Sequence, residues 1–484
     1  MFRFSPKLSK NTIRFSPKTF KNTLRFSPKK LTKSNKYRKI RLGDKMKRKF
    51  YDVLARWDKE EDKMPLMVVG ARQVGKTYII DKYCKDNYKN YCYVNLFDDK
   101  RIIKYFDELD TFNQKVEMLE ETYNIHLKDK DTILFVDEVQ ESEKFIESLK
   151  LFCENGYTNI VCAGSLLGVK LKRLSASFPV GKVYEEKMYP MDFEEYLWAI
   201  GKERYIKYIE KSFIDNSECI YHTELMEEFN RFLFLGGMPK IIQDYIDNSQ
   251  KLSEVNKSLI ANIINSYILD MKKYTDDKEN IRIERIYNNI PSQLAKENQK
   301  FVFAKLDKHD NRKRDYITAI DWLVSSLLVL PCYNITNPKY PLKVYYDYDS
   351  YKLFLNDTGI LCNLAGISSI DVLMNNDLDY KGILVENYVA TELLKMGFDL
   401  GYWSRKDKTS GSSEVDFIIQ NNSNIIPIEV KAGTDMKSKS LEIYNEKYKP
   451  TLIIKISAKN FGKKDNLKTI PLYATFCLKK LKES

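Results

Sequence analysis

The sequence predicts a multidomain α/β protein whose first half is a parallel β-sheet sandwiched between helices. Three observations predict it. The loop Gly70-Ala71-Arg72-Gln73-Val74-Gly75-Lys76-Thr77 joins a short apolar run to the opening of a helix. A second apolar run ends in the acidic pair Asp137-Glu138. From Met46 to about Phe213 such runs alternate with helical patterns, as a parallel sheet with helices on both faces requires.

In chain order, residues 1–45 come first. They hold 15 Lys/Arg and a single acid, Asp44, and repeat Arg-Phe-Ser-Pro-Lys at Arg3, Arg14 and Arg25. A basic, proline-punctuated segment of this kind reads as disordered. It suits an arm for nucleic acid or an acidic surface, a basic transit peptide, or a leader to a translation start at Met46, the reading we favour. Removing it changes the charge argument. The whole chain carries +13, but residues 46–484 carry −1, so the body is nearly neutral and a basic pI is no sign of nucleic-acid binding there.

Within 46–213, Phe50, Val53, Leu54 and Trp57 fall at helical spacing. Leu66–Val69, Tyr91–Leu96, Thr132–Val136 and Asn159–Ala163 read as strands, with helical stretches after Lys76, Glu108 and Ser142. Residues 214–280 read as a mostly helical lid broken at Gly236-Gly237-Met238-Pro239. Residues 281–350 give helices near Ile283–Lys296 and Tyr316–Leu327, then extended segments at Leu328–Ile335 and Lys343–Tyr346, a winged-helix-like order. The basic run Lys308–Arg314 reads as a DNA contact or a solvated loop. Residues 351–484 read as a restriction-endonuclease-like α/β domain.

The loop at 70–77 is a P-loop pattern, G-x-x-x-x-G-K-[ST]. Gly70 and Gly75 permit backbone conformations and approaches that a side chain would block. Loop amides and the helix N-terminus can then surround a polyphosphate. Lys76 would reach the β- and γ-phosphates and Thr77 would ligate Mg²⁺. Asp137, 61 residues after Lys76, would hold the Mg²⁺ hydration shell. Glu138 would polarise the attacking water, which distinguishes hydrolysis from passive binding. Ser165, at the end of the fourth strand, reads as a γ-phosphate sensor or an ordinary turn serine. Arg173 and Lys182 read as charge stabilisers or inter-subunit fingers, or as solvated residues.

A second constellation lies near the C-terminus. Asp416, Glu429 and Lys431 form D-x₁₂-E-x-K on two strand-like segments, and Glu386 lies on the preceding helical stretch Ile383–Leu394. Residues two apart on a strand share a face. Three carboxylates, Glu386, Asp416 and Glu429, could hold a metal, with Lys431 stabilising a phosphorane-like transition state. This is the pattern of PD-(D/E)xK nucleases, and it equally suits a degenerate binding domain.

Eight scattered cysteines without C-x-x-C, and only three histidines, argue against zinc and for reduced core residues in a cytoplasmic protein. No apolar run approaches the ~18–20 residues of a membrane span.

These motifs as a set resemble bacterial and archaeal P-loop ATPases of the AAA+ or STAND-like type with a C-terminal DUF4143 region. The segments carrying the resemblance are Gly70–Thr77, Phe135–Gln140, Ala163-Gly164-Ser165, Tyr189–Tyr196, Gly236–Pro239, Asn356–Leu361 and the E-V-D-F…I-E-V-K stretch. It covers the chain from Met46 onward. It implies an ATPase core using ATP and Mg²⁺, a helical and winged-helix middle, and a nuclease-like C-terminal domain. ATP over GTP rests on this resemblance alone. Gly181-Lys182 departs from a frequent Gly-Arg, and Lys clamps phosphate less well. The sequence thus supports an ATP-hydrolysing switch acting on DNA or another macromolecule, an ATP-regulated nuclease, or a nucleotide-switched binding module. It leaves oligomerisation open.

Overall fold

The computed structural model describes residues 46–165, 168–169, 179–296, 299–303, 313–368, 380–407, 411–435 and 438–483. The basic repeat tail, Arg173 and most of the Lys308–Arg314 run lie outside the described residues.

The first sheet consists of β1 (Leu66–Val69), β2 (Asn90–Asn95), β3 (Thr132–Asp137), β4 (Ile160–Gly164) and β5 (Tyr184–Lys187) in the order β2-β3-β4-β1-β5. Every neighbouring pair is parallel. Four strands fall where the apolar runs predict them. β5 was not expected, because its Glu185, Glu186 and Lys187 are exposed and only the ladder to β1 makes it a strand. A short charged strand is a common way to end a sheet.

The helices of this half are α1 (Phe50–Asp58), α2 (Lys76–Asn87), α3 (Lys100–Glu108), α4 (Phe112–Tyr123) and α5 (Glu143–Glu154). Thr111 and Gln114 form a capping box for α4, and Ser142 caps α5. Alternate strand residues serve two cores, as a sheet covered on both faces demands. Met67, Leu134, Val136 and Cys162 pack with Phe106, Leu119 and Phe145 of α3–α5. Leu66, Val68, Phe135 and Val161 pack in the cluster that holds Leu54 of α1 and Ile80 of α2.

The chain continues through α6 (Phe193–Ala199), α7 (Ile206–Asp215), α8 (His222–Leu235), α9 (Pro239–Asp247), α10 (Lys257–Tyr274), α11 (Asp277–Leu294) and α12 (Lys313–Ser325). Pro239 opens α9, where its missing N–H costs nothing. The helix expected from Ile283 begins earlier, at Asp277, because Asp276 caps it through the Glu279 amide.

β6 (Val329–Ile335) pairs antiparallel with β7 (Tyr346–Leu355). The extended segment expected at Lys343–Tyr346 is instead a tight 3₁₀ turn, Leu342–Tyr345, and the strand starts at Tyr346. Next come α13 (Thr358–Ala365), α14 (Lys381–Lys395), β8 (Gly401–Asp407), β9 (Gly411–Val415), β10 (Phe417–Asn421), β11 (Asn424–Val430), α15 (Lys439–Tyr448), β12 (Ile453–Ser457), β13 (Gly462–Lys464) and β14 (Leu467–Pro471). They build a four-stranded sheet, β7-β6-β8-β9, and a five-stranded sheet, β10-β11-β12-β14-β13. β7 runs through residue 350, so the four-stranded sheet draws strands from both sides of that position. All eight cysteines are unpaired, and all but Cys153 are buried. Among the described residues no helix is long and apolar enough to cross a membrane.

Candidate nucleotide site and carboxylate–lysine cluster

The 70–77 loop leaves the carboxyl end of β1 and enters α2 directly. Gly75, at the helix start, has φ +95°. A side chain at Gly70 would place its Cβ 2.5 Å from the Met188 carbonyl oxygen. Both glycines are therefore required by the backbone path. Lys76 is 7% exposed, and its Nζ donates to the Gly70 (2.8 Å) and Ala71 (2.9 Å) carbonyls. Burial lowers its pKa to about 8, against the opposing pull of Glu138 and Asp137. Thr77 Oγ1 donates to Asp137 Oδ2 at 2.7 Å. A hydroxyl and a carboxylate in contact are the hard oxygen donors that Mg²⁺ takes.

Asp137 ends β3, and its Oδ1 accepts the Glu138 amide at 3.0 Å. Tyr93, on the edge strand β2, also donates to Asp137 Oδ2 at 3.3 Å. Glu138 sits in the left-handed region, φ 51° and ψ 41°, and its carboxylate accepts Gln140 Nε2. Ser165 is buried just beyond β4, the strand that separates β1 from β3. The sheet order thus brings the strand ends carrying Lys76, Thr77, Asp137, Glu138 and Ser165 side by side. Lys182 is held elsewhere, 3.7 Å from Glu154 at the end of α5.

Other parts of the chain complete the site, and the sequence reading missed them. Arg48 is buried, with Nε 3.0 Å from Glu195 Oε1. Its Nη1 donates to the Val74 carbonyl at 2.7 Å and its Nη2 to that of Tyr189 at 2.8 Å. Beside it a cavity of about 370 Å³ is lined by Met46, Gly75, Tyr78, Pro239 and Leu259 among others. From α10, Tyr267 donates to the Arg72 carbonyl at 3.1 Å, and Asp270 accepts Arg72 Nη1 at 2.9 Å. No residue pattern around Asp270 separates it from a solvated helix acid; the apolar Met46 and the Tyr78 just after the loop were the available hints for the cavity.

Three motifs left without a role by the sequence meet at one junction. Asp357 accepts the Gly237 amide through Oδ2 (2.6 Å) and the Ile360 amide through Oδ1 (3.0 Å), capping α13. A Cβ on Gly236 would collide with Asp357 at 2.2 Å, and one on Gly237 with the Met191 carbonyl at 2.1 Å. Lys395 of α14 donates to that same carbonyl at 3.2 Å. The segments 189–196, 236–239 and 356–361 therefore interlock, and Pro239 places the junction against the cavity.

In the C-terminal part, the predicted strand Ser413–Ile419 splits in two, with Asp416 in the break. Asp416 Oδ2 accepts the Val430 amide at 2.7 Å. Glu429 is buried; its Oε1 accepts Lys431 Nζ (2.9 Å) and Ser438 Oγ (2.8 Å), while its Oε2 has no hydrogen-bond partner. Glu386 on α14 accepts Gln299 Nε2 at 3.1 Å. The structure so brings Glu386, Asp416, Glu429 and Lys431 into one electrostatic cluster. Burial, then Glu429 and Glu386, push the Asp416 carboxyl well above its usual range.

Two lysines were not foreseen in this cluster. Lys352 of β7, 1% exposed, lies 2.6 Å from Glu414 and 3.9 Å from Glu386. Burial opposes its charge, but Glu386 and Glu414 outweigh burial and hold its pKa above the usual lysine value. Lys455 of β12 stands in register with Glu429, and its buried Nζ has no hydrogen-bond partner. Among the described residues no three His, Cys, Asp or Glu side chains form a group that could hold a metal ion. Lys352 pairs with Glu414 and Glu386, and Lys431 with Glu429.

Residues 62–197 match the family model of an AAA domain. Residues 381–475 match DUF4143, a domain of unknown function. The chain thus carries an AAA domain and, toward its C-terminus, a DUF4143 region. Between the two, residues 226–371 match a further domain of unknown function, DUF8612. The uncharacterized protein MJ1544 of Methanocaldococcus jannaschii is 26% identical over 413 residues, covering 81% of this chain and 80% of that protein. Among solved structures, the Walker-type ATPase PABY2304 of Pyrococcus abyssi is 11% identical, covering 66% of this chain and 96% of its own, with a TM-score of 0.40. The ORC2 protein of Aeropyrum pernix, in ADPNP–ADP complexes, is 11% identical, covering 67% and 93%, with a TM-score of 0.36.

Proposed function

We propose that this AAA-type chain binds ATP with Mg²⁺ at Gly70–Thr77 and hydrolyses it, using the ATP cycle to drive its C-terminal region. The observation that carries the reading is the Thr77–Asp137 contact, which sits between Lys76 and Glu138 at adjoining strand ends. Lys76, released from the Gly70 and Ala71 carbonyls, would neutralise the β- and γ-phosphates. Thr77 and Asp137 would hold Mg²⁺, which screens the developing phosphate charge when bound. Glu138 would take the proton of the attacking water as its oxygen bonds to the γ-phosphorus and the β–γ bridging bond breaks. Ser165 would report the γ-phosphate. The cavity beside Gly75 would take the base, with Tyr78 and Met46 as apolar walls.

In this reading residues 46–213 are the ATPase core, 214–280 the lid, 281–350 a winged-helix-like unit and 351–484 a nuclease-like domain. The Asp357 junction would carry the nucleotide state to α14, the helix that bears Glu386. Titration with ATP and GTP tests the nucleotide assignment. Wild type should bind ATP in competition with ADP, and Lys76→Ala should not; equal binding by both proteins would remove the assignment.

A second reading, cleavage of DNA or another nucleic acid at Asp416, Glu429 and Lys431, is favoured by the unpartnered Glu429 Oε2 and Lys455 Nζ. Single- and double-stranded substrates incubated with Mg²⁺ or Mn²⁺, with and without ATP, test it. Equal cutting by Asp416→Ala, or none by wild type, would leave the cluster as a binding surface.

A further inference from the structure

The P-loop carries a second cation besides Lys76. Arg72 is the third residue of the loop, and its side chain is 40% exposed, although Asp270 binds one end of it at 2.9 Å. Asp270 comes from α10, nearly 200 residues away in sequence, and its side chain is 9% exposed. The helix holds the loop in a second way, through Tyr267 on the Arg72 carbonyl. It reaches the hydrolysis turn as well, where Lys273 lies 2.7 Å from Glu141, three residues past Glu138. α10 therefore spans from the phosphate loop to the Glu138 turn.

The charges facing Asp270 are Arg72, Glu138, Lys273 and Lys76. Burial raises the Asp270 carboxyl, and Glu138 adds to that rise. A polyphosphate entering between Lys76 and Glu138 adds negative charge to this same neighbourhood. It repels Asp270 and attracts Arg72, whose planar guanidinium fits phosphate oxygens in pairs. Because Tyr267 holds the main chain, exchange of partners requires only the Arg72 side chain to turn.

We infer that Arg72 is a triphosphate ligand held in reserve by Asp270, so that this lid carboxylate sets how strongly the site prefers a triphosphate to a diphosphate. The inference rests on the nucleotide reading of the 70–77 loop. α10 loosens at Asp270 when the terminal phosphate arrives, with Tyr267 still on the loop, since the Arg72–Asp270 pair and the phosphate compete for one guanidinium.

Calorimetric titration of the full chain with Mg²⁺ and either ADP or a non-hydrolysable ATP analogue tests it. Asp270→Asn frees Arg72 and should raise the preference for the triphosphate by about threefold, the scale of a partly exposed ion pair. Arg72→Ala should lower that preference, and the double variant should behave as Arg72→Ala does. Hydrogen exchange of wild type provides a second measurement that needs no variant: residues 266–274 should exchange faster with the triphosphate than with ADP. Equal effects of Asp270→Asn on both nucleotides, the same gain in the Arg72→Ala background, or identical exchange with the two ligands would overturn the inference while leaving nucleotide binding intact. Wild type that is folded yet binds neither nucleotide would overturn the nucleotide reading itself, and this inference with it.

Discussion

Replacing Arg48 by Met removes a buried side chain that ties the start of the described chain to the P-loop. The change preserves much of the buried volume and deletes the charge. Arg48 and Glu195 are each 5% exposed, so the pair is shielded from water and salt. Breaking a buried pair by removing one partner costs about 3–5 kcal/mol, because the other charge stays buried. Glu195 keeps the Lys49 amide at 2.7 Å and the Asp192 amide at 3.1 Å, which places the loss at the lower end, about 3 kcal/mol. The Val74 carbonyl loses its donor within the phosphate loop itself, so nucleotide affinity should fall together with stability. Urea unfolding followed by tryptophan fluorescence reads the first effect and ATP titration the second. Arg48→Lys keeps the charge without the three-way fork and should fall between wild type and Met. A loss under about 1 kcal/mol with unchanged ATP affinity would refute the claim that Arg48 supports the loop.

Asp357→Ala leaves the Gly237 amide without its acceptor and uncaps α13, so it should destabilise by about 2–3 kcal/mol in denaturant unfolding; no measurable change would contradict the junction. Lys76 gives a pH signature. Its pKa is depressed to about 8 in the folded protein against 10.5 ordinarily, so its charge opposes folding fully below about 8. Stability should rise as pH climbs from about 8 toward 10.5, while ATP affinity, which uses the charged form, should bend downward above about 8. Lys76→Ala should abolish this rise in stability, and a wild-type profile without the rise would refute the assignment. Lys352→Met should destabilise by about 3 kcal/mol, since Glu414 and Glu386 lose their buried counter-charge; thermal unfolding unchanged from wild type would contradict the cluster.

The sequence disclosed the parts that repeat a simple physical pattern. β1, β3 and β4 are covered on both faces, so they appear as unbroken apolar runs, and the phosphate loop is contiguous. β5 has no such pattern, since its residues are charged and β1 alone recruits it. Asp270 and Tyr267 were out of reach for a different reason: they join the loop only through folding, from a helix whose one acid looks like any solvated one. Lys352 was visible in principle. It interrupts the run Tyr351-Lys352-Leu353-Phe354-Leu355, which is wholly buried, and a lysine there needs a carboxylate partner. Glu386, Asp416, Glu429 and Lys431 were legible as a set from the D-x₁₂-E-x-K spacing and the helix before it; Lys352 and Lys455 reach them from β7 and β12 only through the fold, which that spacing does not announce.

The central claim is that this loop and acidic pair hydrolyse ATP. Steady-state phosphate release from purified wild type, Glu138→Gln and Lys76→Ala, with Mg²⁺ and with binding measured in parallel, tests it most directly. Wild type should turn over, Glu138→Gln should retain ATP binding with turnover down by about a hundredfold or more, and Lys76→Ala should lose binding. Equal phosphate release by all three proteins would contradict the claim.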